Sequence, residues 1–239
     1  MATTFKISYR FTFPDNKTKL YELTFDSDTI ELSPPQIDIF PRWTQLAYEQ
    51  CPHCPLDSNA NPQCPVAVNL VPVIEQFDRL MSYDKIKVEV TCSERHVIQQ
   101  TSVQEGISSL MGLLIAGSSC PITHFFKPMA RFHLPFANKE ETMWRAAATY
   151  LLTCYFREAR LQLSDFDLKG LVQIYDDVAR LNDALVRRLR AASSRDSTVN
   201  ALVHLDVFAK FLTPPLDDSL DQIRPIFDPF LMNFQTDAE

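Results

Sequence analysis

Glycine is scarce in this sequence, with 4 in 239 residues, against roughly 17 at an average usage of about 7%. A phosphate-binding P-loop, a dinucleotide fingerprint and a kinase glycine-rich loop each need several glycines close together. Gly106, Gly112, Gly117 and Gly170 fit none of those spacings, which argues against the common ATP, GTP and NAD enzymes. Long apolar runs are missing too. Stretches such as Leu110–Ala116 fall far short of the roughly 20 residues that span a bilayer. Met1–Phe13 alternates polar and apolar residues and lacks the continuous apolar stretch of a signal peptide. There is no excess of positive charge. The 23 basic and 30 acidic side chains leave a net −7, which opposes general nucleic-acid binding because that rests on neutralised phosphates. A hydrophobic fraction of 46% is ordinary for a globular chain able to bury a core. The expectation is a soluble, cytoplasmic protein with no membrane association.

Proline, by contrast, is well represented and unevenly placed. None occurs from Phe136 to Thr213, so long helices are expected there, because an interior proline removes a hydrogen bond and clashes with the preceding turn. Before that stretch the pattern is strand-like. Phe5–Phe13 alternates with period two, Pro14–Lys17 is a turn cluster, and Leu20–Phe25 completes a hairpin. Ile30–Leu32 reads as a third short strand, and Ile86–Val90 with His96–Gln100 as a second hairpin around Ser93-Glu94. Leu70, Ile74, Phe77 and Met81 are helically spaced in a helix from Val66 to Met81. Val103–Gly117 is apolar on nearly every side and predicts a buried helix. Asn138 with Glu141 forms a capping box for a helix to about Arg160. Ser164 caps the next, in which Leu168, Leu171, Tyr175, Val178, Asn182, Leu185 and Leu189 recur in steps of three and four. Asp196 caps a helix through Ala201, Leu205, Phe208 and Leu212, and a last short helix runs from Asp217 to Phe227. The expected fold class is α+β: an N-terminal antiparallel sheet with one packed helix, then a C-terminal helical bundle. The corresponding regions are 1–102 and 103–239, separate or integrated into one domain.

Four of the 6 cysteines stand directly before a proline: Cys51-Pro52, Cys54-Pro55, Cys64-Pro65 and Cys120-Pro121. Random placement would give about 0.4 such pairs. Their spacing is C-x2-C-x9-C-x55-C. Two cysteines two residues apart can hold a metal from a tight turn, and two further thiolates complete a four-sulfur shell. Proline pre-sets the first helical position, which places Cys64 and Cys120 as N-caps. There the helix dipole is expected to lower the thiol pKa and favour the thiolate that metals need. Zinc fits such a shell, as does an iron–sulfur (4Fe–4S) cluster, whose cysteines are also often followed by proline. His53, His124 and His133 are the alternatives for one sulfur. Cys92 and Cys154 fall inside a predicted strand and a predicted helix and read as core thiols.

Cys51-Pro52-His53-Cys54 also carries the letters of an oxidising disulfide catalyst. That chemistry needs a long helix after the motif, which Pro55 and Pro62 obstruct. Arg131 and His133 would share one face of an extended segment. They offer an anion site and a base or ligand, or else an ion pair and a hydrogen-bonded core histidine. Glu140, Glu141 and Arg145 can pair across a helical turn. Asn182 interrupts an apolar seam and can set helix register. Arg187, Arg188, Arg190 and Arg195 form a basic cluster that offers a site for phosphate or an acidic partner, or else a solvated face answering Asp176, Asp177 and Asp183.

The Cys51-Pro52-His53-Cys54-Pro55-Leu56 block, Ser118-Ser119-Cys120-Pro121, and the run Ala130-Arg131-Phe132-His133-Leu134-Pro135-Phe136 resemble an uncharacterised bacterial family, a domain of unknown function. The likeness covers the chain from Cys51 to about Leu205 and implies a bacterial cytosolic origin, without an activity or catalytic residues to carry over. The leading expectation is therefore a non-enzymatic metal-binding protein, with Cys51, Cys54, Cys64 and Cys120 holding zinc or an iron–sulfur cluster in a structural or sensory site. The alternatives are a metalloenzyme acting on an anionic substrate, with His133 as ligand or base and Arg131 binding the anion, and a metal-free interaction module. In the last, the helical half would take a protein partner or a second copy of the chain.

Overall fold

The computed structural model describes residues 3–77, 82–158, 165, 167–192, 199, 200, 202, 203 and 220–234. Strands β1 (Thr4–Thr12), β2 (Thr18–Asp26), β3 (Lys85–Thr91) and β4 (His96–Ser102) form one antiparallel sheet in the order β2-β1-β3-β4. Both predicted hairpins are present. The register pairs Tyr9 with Tyr21 on one side and with Val90 on the other. Alternation then puts Ile7, Tyr9, Phe11, Leu23, Phe25, Ile86, Val88 and Val90 on one buried face. The third strand expected at Ile30–Leu32 is reduced to a single bridge between Leu32 and Phe25. Ile30 takes a left-handed φ of 57°, which ends extended pairing there.

Two helices bury their apolar faces with this sheet. Helix α1 (Pro65–Phe77) contains Pro72, and the end predicted for it at Met81 lies outside the described residues. Helix α2 (Val103–Ala116) begins at a full capping box. The Ser102 hydroxyl accepts from the Glu105 amide, and the Glu105 carboxylate accepts from the Ser102 amide. Gly106 lets α2 approach the sheet closely: a Cβ there would stand 3.0 Å from Val88 and 3.1 Å from Phe11. After α2 come a short 3-10 turn over Pro121–Phe126 and helix α3 (Lys127–Arg131). Among the described residues, no single helix is long and apolar enough to cross a membrane.

The C-terminal half is helical, with α4 (Lys139–Glu158), α5 (Lys169–Ala192) and α6 (Arg224–Phe234). The predicted Asn138–Glu141 box is formed, with the Asn138 amide donating to Glu141 at 2.8 Å and the Glu141 amide to Asn138 at 2.9 Å. All seven residues of the predicted seam from Leu168 to Leu189 are buried. Ser164, and most of the helix predicted after Asp196, lie outside the described residues. Of the last helix, predicted over Asp217–Phe227, residues 217–219 lie outside the described ones, Leu220 and Asp221 are helical, and the helix Arg224–Phe234 runs past Phe227. The chain divides into two compact units, one of Met1–Phe136 with Asp177–Asp206 and one of Ala137–Asp176 with Val207–Glu239. Thus α2, assigned from sequence to the helical region, belongs with the sheet, as does the part of α5 from Asp177 onward.

Candidate functional site

The site lies in the first unit, where proline-rich loop, helix starts and one face of α5 meet. The loop is laced by its own backbone. Gln45 bridges Gln63, the Leu46 amide donates to Pro62 O at 2.9 Å, and the Cys64 amide donates to Thr44 O at 2.7 Å. These bonds place Cys64 immediately before α1, where the Val68 amide donates to its carbonyl at 3.0 Å. Cys51 and Cys54 are closed into a turn by the Cys54 amide donating to Cys51 O at 3.0 Å. Cys120 is the N-cap of the 3-10 turn, its carbonyl accepting from the Thr123 amide and hydroxyl.

As a result, Cys51, Cys54, Cys64 and Cys120 line one cavity of about 10 Å³, together with Leu46, Leu56, Ile122, Leu181, Leu185 and Arg188. All four are free thiols. Among the described residues, no group of three or more His, Cys, Asp or Glu side chains is arranged as a set of metal ligands. Burial pushes the Cys51 thiol up to about 11, with neighbouring Cys64 and Cys54 adding to the rise and Arg188 opposing it. Burial likewise pushes Cys120 up to about 12, against the hydrogen bond from the Ile122 amide. The depressed pKa expected for Cys120 at a helix start is therefore reversed. Desolvation of the thiolate outweighs a short 3-10 turn whose cap carries no side-chain hydrogen bond.

Arg188 is the residue that sequence reading misplaced. Instead of lying on a solvated face it is 1% exposed. Its guanidinium donates to Trp43 O at 2.7 Å, Gln45 O at 2.7 Å and Leu46 O at 2.9 Å, which clamps the cysteine loop to α5. The signal was in the sequence, because Leu181, Leu185 and Arg188 recur in steps of four and three on one helical face. Next to it, Arg187 behaves as expected of a surface charge and pairs with Glu49 at 2.8 Å. Lys127, which is near enough to Cys120 to interact with it, donates to Ser118 O at 2.8 Å and its pKa is lowered by burial.

The other candidates lie elsewhere or face differently. Neither His124 nor His133 lines the cavity. The Nε2 of His133 hydrogen-bonds the buried Tyr9 hydroxyl at 2.5 Å, and Tyr9 also contacts Ser109 at 2.8 Å. Arg131 stands over the Phe5 ring at 4.9 Å and pairs with Glu94 at 3.8 Å. Cys154 is buried, whereas Cys92 sits just past β3 in the hairpin turn and is only partly buried. Among the described residues, three buried side-chain atoms lack a hydrogen-bond partner: Nδ1 and Nε2 of His53 and Nε of Arg188. His53 lies between Cys51 and Cys54, and Arg188 lines the cavity itself.

A sheet with two packed helices and a cysteine-lined cavity defines an α+β protein with a thiol site. The chain belongs to the family described as Domain of unknown function (DUF6901), whose sequence model matches residues 7–228. Comparison with curated proteins and with solved structures finds no match.

Proposed function

We propose that the chain is a metal-binding protein whose site is formed by Cys51, Cys54, Cys64 and Cys120, with a structural or sensory role. The observation that carries this reading is that the four cysteines that precede a proline all line one cavity, although Cys120 is remote in sequence from the other three. Four sulfur donors are the soft set that suits zinc or an iron–sulfur cluster. The unpartnered Arg188 Nε supports a ligand with negative character, since a buried donor is left wanting an acceptor. Zinc, which four thiolates satisfy in a closed tetrahedral shell, is the first choice. Because burial raises the Cys51 and Cys120 thiols, an entering metal must displace their protons, so loading is expected to release protons and to weaken as pH falls. Protein purified without oxygen is expected to carry one zinc per chain and to lose it on joint replacement of Cys51 and Cys54 by serine. One brown cluster per chain would replace zinc with iron–sulfur. Elemental analysis and an absorption spectrum showing neither metal, even after reconstitution, would overturn the reading.

A further inference from the structure

Helix α4 carries two apolar faces. Met143, Ala146, Ala147, Tyr150 and Cys154 recur in steps of three, one, three and four, and all are buried. On nearly the opposite side, Trp144, Ala148, Leu151, Leu152 and Tyr155 make a second stripe, which Phe156 widens. Trp144, Leu152, Tyr155 and Phe156 are each more than half exposed, and Ala148 and Leu151 are exposed as well. A surface helix ordinarily turns polar residues to water, and a helix apolar all round is a buried one. The three aromatic side chains and two leucines present on the order of 500 Å² of apolar surface, as much as a monomer ordinarily leaves in one patch. Two such stripes laid together would bury about 1,000 Å², the size at which specific interfaces begin.

The stripe fits a second copy of itself. Turned antiparallel about a point near residue 150, it sets Trp144 against Tyr155 and Phe156 of the other copy, and the small Ala148 against Leu151 and Leu152. Aromatic then meets aromatic, and bulky meets small. A lipid surface fits less well. The helix holds three basic and three acidic residues, so it lacks the basic polar face that draws an amphipathic helix to anionic lipid. We propose that this face joins two copies of the chain in a two-fold dimer, α4 packing antiparallel on α4. The dimer does not depend on metal at the cysteine cavity, since α4 and those cysteines belong to different units.

Sedimentation equilibrium of the full chain at about 50 μM is expected to show a dimer. A monomer, whether a segment of the same chain covers the stripe or the chain attaches to neutral vesicles instead, would overturn the proposal. Ala148→Glu and Leu152→Lys should each weaken self-association by at least about thirtyfold, the scale of a central interface residue, with helix content unchanged by circular dichroism. An equimolar mixture of the two variants should associate again, because the introduced glutamate of one then faces the introduced lysine of the other. Ile98→Lys, at an exposed position of β4, should leave association within about threefold of the natural chain. A folded Leu152→Lys protein that still dimerises, a mixture that stays monomeric, or an equal loss in Ile98→Lys would overturn the proposal. A measurement on the natural chain covers the case in which the variants fail to fold. Of the 2 tryptophans, Trp43 is buried within the chain, so dilution through dissociation should red-shift the emission as Trp144 enters water. A spectrum unchanged through dissociation would overturn the proposal.

Discussion

Gly170 and Asp165 show how single residues close the start of α5. The Gly170 amide donates to Asp165 at 2.6 Å, and the Tyr150 hydroxyl donates to the same oxygen at 2.9 Å. A Cβ on Gly170 would run into the Tyr150 hydroxyl. The Gly170 amide, followed by the Tyr150 hydroxyl and Lys169, holds the Asp165 carboxyl below its ordinary value of 3.8. Because the folded value is lowered, this contribution is complete above the ordinary value and is lost as pH falls through the folded one. Asp165→Asn should therefore be less stable than the natural chain at about pH 7, with the gap closing toward about pH 2. Urea denaturation across that range checks it, and a gap independent of pH would show that the charge is not the cause. The scarce glycines also have a shared meaning at this scale. Gly106, Gly117 and Gly170 stand where a side chain would meet a neighbour closely. Among the described residues, the left-handed positions go to Asn16, Ile30, Glu49, Phe136 and Leu168 instead.

Among the elements, α2 depends most visibly on its first turn. Ser102 joins the end of β4 to the capping box, and the Thr101 hydroxyl also donates to Glu105. Ser102→Ala leaves the Glu105 amide without its acceptor at a half-buried corner, so a loss of about 1 kcal/mol is expected by denaturant titration. Threonine at this position should restore most of it. The legibility of elements followed their periodicity. The first hairpin, β3 and the seam of α5 were readable because their buried faces repeat every second residue or every third and fourth, and α2 because it is apolar on nearly every side. The Asn138–Glu141 box was readable because its letters and spacing are local. The box at Ser102–Glu105 has equally local letters, but they lie at the junction of strand and helix and were absorbed into neither. Arg188 was missed because its charge was weighed above its place in the apolar repeat.

Across the molecule, the candidate site joins segments that are distant in sequence, and its consequences should be confined to the unit that contains it. The four cysteines and Arg188 all fall in the unit of Met1–Phe136 with Asp177–Asp206. Zinc loading is expected to slow hydrogen exchange at Leu46, Cys54 and Cys64, whose amides lace the cysteine loop. Exchange in α4, which lies in the other unit, should be unchanged. Mass-resolved exchange on metal-loaded and stripped protein tests this, and equal slowing in α4 would refute a local tie. The sequence alone determined the α+β class, the principal hairpins and helices, and which cysteines to suspect. Each of those rests on local periodicity, turn chemistry or the adjacency of cysteine and proline. Only the tertiary structure decided that Cys120 lines one cavity with the other three cysteines, that a buried arginine lines it too, and that burial raises the Cys51 and Cys120 thiols. Those facts depend on which surfaces exclude water when remote segments pack, and no local pattern of letters carries that information.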